Sequence, residues 1–223
     1  SDVPGDDPAL IGSGLLYPGM AAEPPAIQYP AEMKEVMARI ALQRQGHIGE
    51  AEPPVPEHRV LGNLRMACEA ARDAAVAAGF HTRLFAQELD GDAETTGYQL
   101  ARQLQELPGG VYIWGGETTV CLPDKPGRGG RNQHLALAAA MEFAGRGDVH
   151  LLALGSDGSD GPGEDAGALV DGGTTGRGEL GGLGAVEALR RADSGSFLEA
   201  SGDLISTGAT GTNVRDLVIA VKD

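Results

Sequence analysis

Apolar positions along the 223-residue chain fall into two rhythms. The first has the spacing of one helical face. Met33, Val36, Met37, Ile40 and Ala41 follow Pro30 in this way, and Gly46 stands where such a helix can end. Leu64, Ala67, Cys68, Ala71 and Ala75 mark a second helix, capped by Asn63 and closed near Gly79. Further helices are predicted over 93–107, 131–144 and 183–191. The second rhythm is the short apolar run bounded by turn formers, which predicts strands at 59–62, 80–85, 111–114, 150–155, 168–171 and 214–221, with a short one inside 202–208. Residues 118–122 are expected to extend the 111–114 strand or to pair back on it as a hairpin. Strand and helix alternate for most of the length, which predicts an α/β architecture with mostly parallel pairing.

Residues 49–58 read as a surface loop or linker, and the opening SDVPGDDP is dense in turn formers. A loop of that kind normally follows a strand, so the chain is expected to be part of a longer protein. No apolar run approaches the ~20 residues of a membrane helix, and SDVPGDDPAL lacks the basic and apolar regions of a secretory signal. Cys68 and Cys121 lie outside any CxxC pattern and are expected to be reduced and buried, which fits a cytoplasmic protein. The net charge of −15 disfavours nucleic acid and anionic lipid as partners. An anionic metabolite would need a local basic patch against that field.

The glycines, 35 in all, concentrate in loops beside the apolar runs, and there the candidate chemistry lies. GGETTV, residues 115–120, follows a strand; its glycines free backbone N–H groups for an anion, and Glu117 offers a carboxylate for a metal or a substrate proton. PDKPGRGGRNQ, residues 123–133, is the basic patch: Lys125, Arg128 and Arg131 lead into a helix N-terminus, where unpaired N–H groups favour phosphate. It is not a Walker A loop. GSDGSDGPG, residues 155–163, places Asp157 and Asp160 with Ser156 and Ser159 after another strand, oxygen ligands of the kind Mg²⁺ takes. TGATGTNV, residues 207–214, brings glycines and hydroxyls that suit a phosphate or a hydroxy acid. Each of these loops, taken singly, is also compatible with an ordinary turn. His134, beside the arginine loop, reads as a surface or partly packed side chain.

In their order along the chain, SDVPGDDP, GGETTV, GRGGRNQ, GSDGSDGP and TGATGTNV resemble the glycerate kinase family whose C-terminal module is called MOFRL. The resemblance covers essentially the whole chain and is densest between Gly115 and Asp216; RVLGNLRMACEAARDAAVAAGF is similar to the strand and helix joining that family's two domains. It implies the C-terminal part of a Rossmann-like parallel-sheet domain over 1–108 and a smaller α/β, MOFRL-type domain with a mixed sheet over 109–223, with the active site in the cleft between the domains. It further implies ATP- and Mg²⁺-dependent phosphorylation of D-glycerate, generally at the 2-hydroxyl.

Carried onto this sequence, the resemblance makes Arg128, Arg131 and Glu117 the catalytic candidates. Gly115, Gly116, Thr118, Gly129, Gly130, Asn132, Ser156, Asp157, Gly158, Thr210, Gly211 and Asn213 become candidates for nucleotide binding, and Asp157 and Asp160 for the metal. Two features depart from the family pattern. His134 stands where the family usually has Glu, and the family's glycine- and serine-rich loop and catalytic lysine, which precede this stretch, have no counterpart here. This polypeptide alone is therefore expected to show little or no kinase activity and, with apolar surface uncovered, to self-associate. The alternatives are an NAD(P)-dependent hydroxypyruvate reductase, against which the missing dinucleotide fingerprint argues, and a non-catalytic nucleotide-binding domain.

Overall fold

The computed structural model describes residues 1–14, 30, 33–36, 38–39 and 57–223. The chain divides into two compact units, residues 3–60 and residues 1–2 with 61–223. In the first, 3-10 turns occupy Pro4–Asp6 and Ile11–Gly14, and residues 33–36 and 38–39 are helical. The remainder of the helix expected after Pro30, and most of the 49–58 loop, lie outside the described residues.

The second unit is a six-stranded sheet between helices. Its strands are β1 (Thr82–Leu84), β2 (Gly110–Gly116), β3 (Val149–Gly155), β4 (Gly167–Asp171), β5 (Leu204–Ile205) and β6 (Asp216–Lys222). Its helices are α1 (Leu64–Ala77), α2 (Ala93–Glu106), α3 (Arg131–Phe143), α4 (Thr174–Leu180), α5 (Ala185–Arg190) and α6 (Ser194–Ser201). Asn63 and Asp92 cap α1 and α2 by accepting the N–H groups of Met66 and Thr95, each at 2.8 Å.

Strand alternation divides the core into two layers. Tyr112 and Trp114 of β2 with Val218 and Ala220 of β6 pack against the side holding α2, α3, α5 and α6. Val111 and Ile113 face the other way and bury Leu64 and Cys68 of α1, with Leu217, Ile219 and Val221 beside them. Helix α3 is buried almost all round, and its run of alanines lets neighbouring backbone approach closely.

The sheet runs β1-β2-β6-β3-β4-β5. It is mixed, and the expectation of mostly parallel pairing is corrected: only β1–β2 is parallel, while the other four pairings are antiparallel. The alternation did carry the directions of β1, β2 and β3, which all run the same way. The final strand then inserts between β2 and β3, antiparallel to both. That insertion also excludes the hairpin expected at 118–122. With β1 on one side of β2 and β6 on the other, the segment makes only the isolated bridge Asp92–Thr119. Residues 59–62 form no strand.

Candidate active site

Register brings the site together. Gly116 of β2, Asp216 of β6 and Gly155 of β3 pair side by side, so the loops after β2 and β3 and the loop before β6 all open at one end of the sheet. Helix α3 starts at the same place. Its Arg131 forms a two-pronged bond with Asp216, Nε to Oδ2 at 2.5 Å and Nη2 to Oδ1 at 2.9 Å, and Nη1 reaches Glu117 Oε1 at 3.0 Å. These bonds push the Arg131 pKa further above its usual value. Beside them Arg215 donates from Nη1 to Glu88 Oε2 at 2.6 Å, and its Nε lies 3.5 Å from Glu117 Oε2.

A second group surrounds Arg128. Its Nη2 bonds Asp165 Oδ2 at 2.8 Å and its Nη1 bonds Glu199 Oε2 at 2.6 Å. Asp165 also accepts the Ser206 hydroxyl at 2.6 Å, the first reason its carboxyl is held below the usual range, and Arg128 adds to that effect. Arg128, Asp157, Gly158, Ser159, Asp165 and Ser206 line an open cleft of about 810 Å³. Glycine at 158 is required here. Its φ is 86°, and a Cβ would come within 2.0 Å of the Gly208 carbonyl oxygen, so this residue lets the loops after β3 and before β6 press together. Thr210 ties the same loops, its hydroxyl donating to the Ser156 carbonyl at 2.6 Å and its N–H to the Asp157 carbonyl at 3.1 Å. Ser156 Oγ accepts the Val214 N–H at 2.8 Å.

The two loop aspartates differ in what they hold. Asp157 lines the cleft, its Oδ1 accepting from the N–H and hydroxyl of Ser159. Asp160 is buried, and its two oxygens accept the N–H groups of Asn132 and Gln133 at 3.0 and 2.8 Å. It therefore caps α3 from a distant loop, a task Gly130 at the helix start cannot perform. Gly130 is itself dictated by that arrangement, since a Cβ there would meet the Asp160 backbone and side chain at 2.3 Å. Burial raises the Asp160 pKa, and the two backbone donors oppose the rise.

Thr118 and Asn132 are buried, and Lys125 is exposed. Two expectations are corrected here. Cys121 is exposed, while Cys68 is buried with its thiol pushed up to about 11. His134 is buried as well, because α3 packs against α2 and sets it 3.8 Å from Glu94. Sequence reasoning missed Glu88, Asp165, Arg215 and Asp216. The signal available was the charged pair Arg215-Asp216 at the threshold of an otherwise apolar strand.

Paired guanidiniums and glycine loops thus gather at the carboxyl ends of β2 and β3, the end of an α/β sheet where ligands commonly bind. Residues 110–216 match the model of the MOFRL family. The chain is 35% identical to D-glycerate 2-kinase of Thermotoga maritima, over 99% of this chain and 55% of that protein. It is 30% identical to glycerate 2-kinase of Pyrococcus horikoshii, over 99% of this chain and 54% of that protein. The crystal structure of the Thermotoga maritima glycerate kinase superposes with a TM-score of 0.77 at 32% identity, covering 100% of this chain and 56% of that one. The chain belongs to the glycerate kinase family that carries the MOFRL module, and it spans about half the length of the curated relatives it matches.

Proposed function

We propose that these residues supply the oxyanion-binding part of an ATP-dependent kinase that phosphorylates D-glycerate at the 2-hydroxyl. The observation that carries the reading is the convergence of Arg131, Glu117 and Asp216 in one cluster at the end of the sheet where Arg128 and Asp157 line a cleft. It occurs in a chain matched along 99% of its length by a D-glycerate 2-kinase. Phosphoryl transfer asks little covalent chemistry of a protein and much positioning of charge around phosphate oxygens. Arg128 and Arg131 supply the cations. Gly115, Gly116, Gly129, Gly130 and Gly158 are taken up by the chain's own packing, against Leu64 and Cys68, Leu89, Ser194, Asp160 and Gly208 in turn, which leaves Gly211 as the glycine with open space for a nucleotide. Asn132, Ser156, Thr210 and Asn213 fix the loops around it. Glu117, half exposed, is the carboxylate offered to the acceptor hydroxyl proton.

Mg²⁺ enters this reading only as the companion of ATP, a role that needs one or two carboxylates. Among the described residues no three His, Cys, Asp or Glu side chains gather to hold a metal ion. Asp160 is committed to α3, which leaves Asp157 as the carboxylate on offer. The activity is proposed for a protein of the relatives' full length that contains this chain. Coupled ADP-release assays on that protein test it. ADP release should depend on D-glycerate and fall by about 10²- to 10³-fold in Arg131→Ala, the scale of losing one charge-stabilising donor. ADP release indifferent to D-glycerate would refute the reading.

A further inference from the structure

Arg215 has no part in the mechanism above, yet its position is tightly constrained. Its backbone is left-handed, with φ 72°, in a bulky residue that rarely adopts that conformation. Its N–H donates to Asn213 Oδ1 at 3.0 Å, and its carbonyl accepts the Ser156 N–H at 3.0 Å, so it pins two of the site's loops together. Such conformations persist where the surroundings over-determine them, and they cluster at ligand clamps. The side chain is only 9% exposed. Nη1 is paired with Glu88, but Nε–H completes no hydrogen bond among the described residues. Buried donors of this kind are normally satisfied.

Glu117 spans the two guanidiniums, with Oε1 at 3.0 Å from Arg131 and Oε2 at 3.5 Å from Arg215. The acids around them are held unequally. Asp216 is 6% exposed and doubly bonded, whereas Glu117 and Glu88 are 43% and 52% exposed. Ion pairs to such half-solvated carboxylates are weak and easily exchanged.

We propose that Arg131 and Arg215 form a two-armed seat for a small oxyanion, and that Glu117 keeps the seat filled with its own carboxylate until the ligand displaces it. The inference rests on the kinase reading and refines it by making Arg215 the residue that selects an acceptor bearing a carboxylate. A guanidinium fork matches a carboxylate or a phosphoryl group. The incoming oxygen supplies the acceptor that Arg215 Nε–H lacks, and Glu117, released from both guanidiniums but still beside the ligand, is free to take the acceptor hydroxyl proton.

Calorimetric titration of a protein of the relatives' full length containing this chain with D-glycerate, inorganic phosphate and ADP tests this in wild type, Glu117→Gln, Arg215→Gln and Arg215→Lys. D-glycerate should bind about tenfold more weakly to Arg215→Gln and about tenfold more tightly to Glu117→Gln, where the competing charge is gone, each the size of one charged hydrogen bond. Arg215→Lys should fall between wild type and Arg215→Gln. In wild type the Arg215 Nε–H resonance should shift on saturation with D-glycerate. Phosphate replacing D-glycerate in all these effects would keep the seat and assign it to a phosphoryl group. Unchanged D-glycerate affinity in Arg215→Gln, with only a lower melting temperature, would overturn the proposal. If that variant fails to fold, the Nε–H resonance and Glu117→Gln decide, and no shift together with no tightening also overturns it. ADP binding without any oxyanion response sinks the seat alone, and failure of both ligands sinks the kinase reading with it.

Discussion

His134 shows how tertiary packing gives one residue a property that its neighbours in sequence do not. It lies one turn into α3 beside an arginine loop, which suggests a solvated side chain, but α2 covers it. Burial lowers its pKa, while Glu94 and Asp92 act in the opposite direction. The folded protein therefore holds a neutral imidazole where the unfolded chain would take a proton below about pH 6.5. A depressed folded pKa contributes stability that is present above the unfolded value and is lost as pH falls through the folded one. The His134 ring resonance should titrate with a midpoint below 6.5. Wild type should also lose more stability on acidification through that range than His134→Gln, as read by melting temperature against pH. A midpoint above 6.5 would mean that Glu94 outweighs burial.

At the scale of elements, the helices legible in the sequence were those whose apolar spacing matched their burial: α1, α2, α3 and the short α5. Two others, α4 and α6, were not legible, because TTGRGEL and SGSFLEAS carry glycine and serine where helices favour alanine. Packing explains them. A Cβ on Gly178 in α4 would lie 2.2 Å from the Phe197 ring of α6, so glycine lets the two short helices meet, and their contact supplies what propensity does not. Gly97 in α2 does the same against α3, where a Cβ would stand 2.3 Å from the Leu135 carbonyl oxygen and 2.9 Å from Ala138 Cβ. Propensity alone says that Gly97→Ala gains about 1 kcal/mol. Backbone oxygen cannot step aside as a side-chain tip can, so the overpacking term should prevail and the variant should lose about 1–3 kcal/mol. Urea denaturation measures it, and a stabilised variant would show that α2 and α3 slide apart freely.

The whole molecule depends on its last strand, and here the sequence was least informative. The glycine loops were legible because close approach demands glycine at known places, but the acids that hold the arginines come from elements distant in sequence. Asp216 meets Arg131 only because β6 inserts between β2 and β3, and apolar runs do not encode strand order. That insertion gives β6 a ladder of seven residue pairs on each side. At its end Lys222 Nζ donates to the carbonyls of Leu104, Gln105 and Leu107, 3.0, 2.9 and 2.7 Å away, satisfying the open C-terminus of α2. A chain ending at residue 215 would leave the facing edges of β2 and β3 unpaired in the middle of the sheet and the end of α2 uncapped. Removing an edge strand such as β5 would open a single short pairing. The truncated chain should therefore lose cooperative thermal unfolding and the near-ultraviolet dichroism of Trp114, which packs in the layer that β6 helps close. Non-local pairing of this kind is completed late in folding, so during synthesis the sheet should stay open and protease-sensitive until β6 leaves the ribosome. Pulse proteolysis of stalled chains of increasing length would show protection arriving in one step with residues 216–222, and protection already complete at residue 215 would contradict it.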